Sequence, residues 1–297
     1  MSIKLENVVL ASPEQMEFII EGMRNPMNSW DKSDSHLCNE DSCDECCFKD
    51  RTFSCSSVDI NPIDSDYMVG KNDYSLMQHL AKAGTDHRKF MRMLPVYVRI
   101  TAPLYWWKEF DTYKVGTVAN SCSTMHKIQA KEFVDADFSY EHMTPRSIAL
   151  LEGIISELND LREYYLKWDK LDDNTKNAHR WYEKKDIWWQ MIQLLPSSYN
   201  QTRNVMMNYE VLANIYKSRK DHKQDEWRNF CKWIEELPYS ELITDIEAKD
   251  PASIDNSKLS QTFNGNEKYF GTGGYTIETQ REIESIINPQ RRSIIAK

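Results

Sequence analysis

Residues 96–101 read VYVRIT, and no other stretch constrains the fold as tightly. Val96, Val98 and Ile100 alternate with Tyr97, Arg99 and Thr101, the period of a strand with one buried face, and Pro103 ends it. Something apolar must therefore cover one side of that strand. The following LYWWKEFDTYKVG places aromatic residues at 105, 106, 107, 110 and 113, which predicts a buried helix broken near Gly116.

Elsewhere the period is helical. Residues 14–24 carry Met16, Ile19, Ile20 and Met23 at i, i+3, i+4 and i+7, an amphipathic helix ending near Asn25-Pro26. A short helix is expected over Tyr74–Ala83, closed by Gly84. Thr144-Pro145 is a helix start, an N-cap with proline at the first helical position, and Ile148, Leu151, Ile155, Leu158 and Leu161 continue its apolar stripe. After the polar break KLDDNTKNAH, a tryptophan-rich helix is predicted over about 181–194. Leu195-Pro196 then leads into a helical stretch over about 200–235.

Residues 28–66 are polar, rich in Ser, Asp and Cys, and nearly aperiodic, and read as an irregular insertion. Periodicity fades after Pro238. The expected organisation is one domain over 1–240 carrying that insertion, with a C-terminal arm or tail over 241–297.

Charge and cysteine content narrow the function. A formal charge of -9 argues against a general binder of phosphate backbones. No apolar run reaches bilayer length, and MSIKLENVVLASPEQ lacks the charged-then-apolar order of a signal peptide, so a cytoplasmic protein with no membrane anchor is expected. In a reducing compartment its cysteines read as thiols, metal ligands or nucleophiles. Cys43 and Cys46 are spaced to fill two corners of a tetrahedral zinc site, with Cys38, Cys47, Cys55 and His36 nearby; free thiols are the alternative. Gly271-Thr272-Gly273-Gly274 lacks the Gly-Lys-Ser/Thr ending of a phosphate loop and reads as a turn. Trp106-Trp107 and Trp188-Trp189 read as core or subunit interface.

Two segments carry a family resemblance. LMQHLAKAGTDHRKF, VYVRITAPLYWWKEF and DTYKVGTVANSCSTMHK occur in one order, and LLPSSYNQTRNVMMNYEVLANIYKSRKDHKQDEW sets Asn208, Asn214 and Arg219 at characteristic intervals, with His222, Gln224 and Glu226 following after a one-residue deletion. Together they resemble the flavin-dependent thymidylate synthase family. The resemblance implies an α+β fold, a sheet with long packed helices, and a homo-oligomer, a tetramer in that family. It implies FAD as cofactor, and conversion of dUMP to dTMP with methylenetetrahydrofolate and NADPH. Tyr113, Lys114, Asn208, Asn214 and His222 would then face the flavin. Arg219 would steady the pyrimidine, and Cys122 and Ser123 would border the base as catalytic residues.

The departures from the family pattern are specific. Its Arg-His-Arg falls on Thr112, Tyr113 and Lys114, and two further arginines become Glu210 and Ile192. Phosphate and pyrophosphate binding draws on fixed guanidinium forks, and a carboxylate at Glu210 would repel a nearby phosphate. Cys122 replaces a serine; it is either a nucleophile tuned by neighbouring charge or a small structural thiol. Two functions follow: a flavin- or pyrimidine-nucleotide-binding member of the family, or a non-catalytic, phage-type homologue that sequesters a nucleotide or binds a protein partner.

Overall fold

The computed structural model describes residues 3–37 and 67–244. Strand β1 (Lys4–Val9) leads into helix α1 (Pro13–Arg24). Ser12 caps α1: its hydroxyl accepts the Gln15 N–H at 3.3 Å, and the Gln15 side chain accepts the Ser12 N–H at 2.9 Å. Met16, Ile19, Ile20 and Met23 are buried, as their period predicts. Two short strands, β2 (His36–Leu37) and β3 (Tyr67–Met68), pair antiparallel before α2 (Lys71–Lys82). Gly84, just beyond α2, takes the left-handed conformation at φ +107°. The proposed zinc ligands Cys38, Cys43, Cys46 and Cys47 lie outside the described residues, as does the tail from 245. Among the described residues no three His, Cys, Asp or Glu side chains gather as a metal site, and no helix is long and apolar enough to cross a membrane.

Strand β4 (Pro95–Pro103) passes directly into α3 (Leu104–Phe110), whose first N–H groups are taken by the carbonyls of Tyr199 and Ser197 at 3.0 and 3.1 Å. Then come β5 (Val118–Ser121), α4 (Pro145–Leu166), α5 (Asp173–Ala178), α6 (Lys184–Leu194), β6 (Asn200–Asn208), α7 (Tyr209–Arg219), α8 (Asp225–Glu235) and α9 (Glu241–Thr244). The four long-paired strands form an antiparallel sheet in the order β1-β4-β6-β5. The fold is α+β, as expected.

The helix expected over 200–235 is instead a strand and two helices. β6 pairs with β4 along its whole length, from Pro103 opposite Asn200 to Pro95 opposite Asn208, and with β5 on its other side. Asn208 then restarts the chain as a helix, its side chain accepting the Val211 N–H at 3.0 Å.

Two hydrophobic cores result. One lies on the inner face of the sheet, where Val96, Val98, Ile100, Val205 and Met207 meet residues of α1, α3, α7 and α8, including Trp106, Trp107 and Trp227. The other is helical: Leu151, Ile155, Leu158 and Leu161 of α4 pack with Ile187 and Met191 of α6 and with Phe133, Phe138 and Trp181. Trp106 and Trp107 are core residues as expected, whereas Trp189 is 46 % exposed. Ile192 also packs against the helical core.

Candidate functional site

The densest meeting of sequence-predicted residues is at Glu109, near the end of α3. Arg219, the last residue of α7, donates from Nη1 to Glu109 Oε2 at 2.7 Å and from Nε to the Tyr113 hydroxyl at 2.9 Å. Its guanidinium lies 4.8 Å from the Trp227 ring centroid, a cation–π contact. Trp227 in turn donates its indole N–H to the same Glu109 oxygen at 2.9 Å. His222, in the α7–α8 connection, sits with Nε2 at 3.5 Å from that oxygen. Its Nδ1 accepts the Gln224 N–H at 3.2 Å.

These positions follow from local structure. Trp227, Phe230, Cys231 and Ile234 recur at helical spacing and bury one face of α8, so Trp227 is fixed in the core with only its N–H directed at Glu109. α3 is anchored through Trp106, Trp107 and Phe110. The site is thus a rigid aromatic floor with a polar rim.

Beside it lies a cleft of about 210 Å³ lined by Phe110, Asp111, Tyr113, Lys114, Thr117 and Ala119. The turn that shapes it depends on Gly116, at φ +79°, where a Cβ would come within 3.0 Å of the Asn208 side-chain nitrogen. The Thr117 hydroxyl is buried without a hydrogen-bond partner. Asp111 is held by Arg203 at 2.6 Å, and Arg203 lies over the Trp107 ring at 4.1 Å. Lys114 is exposed at the cleft.

The structure thus brings Tyr113, Arg219 and His222 together, and sets Asn208 against the Gly116 turn, two residues beyond Lys114. Asn214 is exposed on α7 and does not join them. Cys122 and Ser123 follow β5 and are both exposed. The Cys122 N–H donates to the Thr202 carbonyl at 2.9 Å, and the Ser123 hydroxyl accepts the His126 N–H at 2.9 Å. Thr202 is six residues along β6 from Asn208, about 20 Å at the rise of an extended strand, so the pair sits at the other end of the sheet.

Glu210 does not point a bare carboxylate at a ligand. It is buried and receives Arg88 at 3.4 Å and Arg92 more closely. Burial alone would raise its pKa, but the Arg92 and Arg88 guanidiniums outweigh that and hold it below the ordinary glutamate value. The expected repulsion is cancelled by two cations.

Glu109 and Trp227 were not singled out from sequence. Trp227 directly follows the Gln224-x-Glu226 run that carried the resemblance, which was the available signal; nothing local marks Glu109.

No family model matches the chain, and no curated protein matches it. Among solved structures it is similar to the flavin-dependent thymidylate synthase ThyX from Helicobacter pylori complexed with FAD and dUMP, at TM-score 0.49 and 14% identity, covering 82% of this chain and 99% of that one. A second structure of ThyX from Helicobacter pylori, with FAD and dUMP, gives TM-score 0.47 and 13% identity over 81% of this chain and 98% of that one.

Proposed function

We propose that this protein binds a pyrimidine nucleotide in the cleft beside α3 and does not carry out flavin redox chemistry, the non-catalytic reading of the family resemblance. The observation that carries it is the cleft walled by Phe110 and Tyr113, with Thr117 in its lining and Lys114 at its edge. A pyrimidine ring would pack on those aromatic walls. Lys114 would meet the phosphate as a point charge. The volume of about 210 Å³ falls below the roughly 300–1,000 Å³ of larger ligand sites and suits one ring system.

The donor set around the cleft does not fit the pyrophosphate of FAD. Arg88 and Arg92 are engaged by the buried Glu210 and Arg203 by Asp111, so of these guanidiniums only Arg219 could be released to an anionic group, too few for the several fixed forks that a flavin pyrophosphate draws on.

The test is an absorbance spectrum of the purified protein followed by titration with dUMP, deoxyuridine and FAD, read by tryptophan fluorescence. The expected result is a colourless protein that binds dUMP, with Thr117→Val weakening dUMP and deoxyuridine alike and Lys114→Gln weakening dUMP alone. Stoichiometric FAD with dUMP-dependent flavin oxidation would replace this reading with the enzyme.

A further inference from the structure

The Glu109 carboxylate is the hub of a site built for an oxyanion. Two donors hydrogen-bond its Oε2, a guanidinium at 2.7 Å and an indole N–H at 2.9 Å, and the His222 Nε2 lies 3.5 Å from the same atom. They come from α7, α8 and the connection between them, more than 100 residues along the chain from Glu109. The donors are held independently of it: Trp227 by burial in the core, His222 by the Gln224 N–H, and Arg219 by Tyr113 and the Trp227 ring. Glu109 itself is 35 % exposed, the most accessible member of the group, against 19 % for Arg219 and 23 % for His222. Donors held by other contacts around a half-buried acceptor that is more accessible than they are suit exchange of the acceptor.

We propose that Glu109 is a resident plug of an oxyanion site formed by Arg219, His222 and the Trp227 indole N–H, and that a phosphate-type ligand group binds there by displacing it. The donors suit that class: the guanidinium offers a planar fork, and the indole N–H cannot accept and so selects for an acceptor atom. While Glu109 is in place it cancels the Arg219 charge, so the site discriminates against weakly bound anions, and a ligand must contribute more than the intramolecular carboxylate does. This goes beyond the pyrimidine reading. The two sites meet at Tyr113, but deoxyuridine tests the cleft alone, while pyrophosphate binding that is lost on Arg219→Gln and kept on Lys114→Gln tests the plug alone.

The experiment is calorimetric titration of the full-length protein with inorganic pyrophosphate, comparing wild type with Glu109→Gln. The amide keeps shape and hydrogen bonding but removes the charge. An affinity at least tenfold tighter in Glu109→Gln, lost again in Glu109→Gln/Arg219→Gln, is expected. Equal affinity in a Glu109→Gln protein with unchanged near-ultraviolet circular dichroism would overturn the proposal. Should that variant fail to fold, the wild-type Trp227 indole N–H resonance, assigned with Trp227→Phe, gives a second reading: it shifts with saturating pyrophosphate if Glu109 is displaced, and its staying fixed sinks the idea.

Discussion

Two arginine–carboxylate pairs in this protein share a chemistry and differ in burial. Arg24 and Asp73 are 4 % and 0 % exposed, and Asp73 accepts from Arg24 Nε at 2.5 Å, the Ser33 and Ser35 hydroxyls at 2.7 and 2.6 Å, and the N–H groups of Asp34 and Ser35 at 3.1 Å. Asp34 answers by capping α2, accepting from the N–H groups of Asn72 at 2.9 Å and Asp73 at 3.1 Å. Both carboxylate oxygens are engaged inside a network that ties residues 29–35 to the start of α2. Arg219 and Glu109 have comparable partners at the protein surface, at 19 % and 35 % exposure. The sealed pair can act only by holding the fold, because separating it means unfolding its surroundings. The half-open pair can change partners at little cost, which is what a ligand site requires.

The largest expected effect breaks the sealed pair. Asp73→Ala leaves a buried guanidinium unpaired and strips acceptors from two backbone N–H groups, and should cost about 3–5 kcal/mol in urea unfolding. A loss below about 1 kcal/mol would erase the distinction between the two networks. The pair also has a pH signature. Burial alone would raise the Asp73 pKa, but the Ser35 and Ser33 hydroxyls and Arg24 overcome it and hold the group below its ordinary 3.8. A carboxylate with a depressed folded-state pKa contributes stability above its unfolded value and loses it as pH falls through the folded one. Unfolding free energy should therefore drop below about pH 3.8 in wild type, and Asp73→Ala should remove part of that drop.

Glu210 is the intermediate case. Its side chain is 11 % exposed, but its partner Arg92 is 46 % exposed and can turn to water when released. Glu210→Ala should cost about 1–2 kcal/mol, less than Asp73→Ala because only Arg88 is left partly buried. A cost equal to that of Asp73→Ala would mean that partner number, and not burial, sets the ranking.

What the sequence disclosed follows the same division between local and distant causes. β4 was legible because Val96, Val98 and Ile100 alternate against a covered face, and α1 and α4 because cap and stripe agree. β6 was read as helix because its inward positions include Gln201 and Arg203, whose partners Cys122, Asp111 and Trp107 lie some 80–100 residues away. A polar residue on a buried face has no local pattern. β5 is four exposed residues at a sheet edge, with no apolar alternation to find. In the site, Arg219 and His222 were marked by spacing alone, and Asn208 proves to be the N-cap of α7 as well. Glu109 was invisible for the reason β6 was: its meaning lies in Arg219, His222 and Trp227, side chains that only the fold brings to it.

The smallest expected effect on stability tests the half-open pair. Glu109→Gln removes an ion pair already partly screened by water, and such pairs contribute about 0–1 kcal/mol. The Trp227 N–H and Arg219 can still donate to the amide oxygen, and the Trp106, Phe110 and Trp227 packing that fixes α3 against α8 is untouched. The urea midpoint should therefore move little while anion affinity moves at least tenfold. That separation is the substance of the comparison, since a residue whose role is to hold the fold cannot be altered without loss of stability. A destabilisation above about 2 kcal/mol would place Glu109 with Asp73 as a structural anchor, beyond what a half-exposed pair supplies.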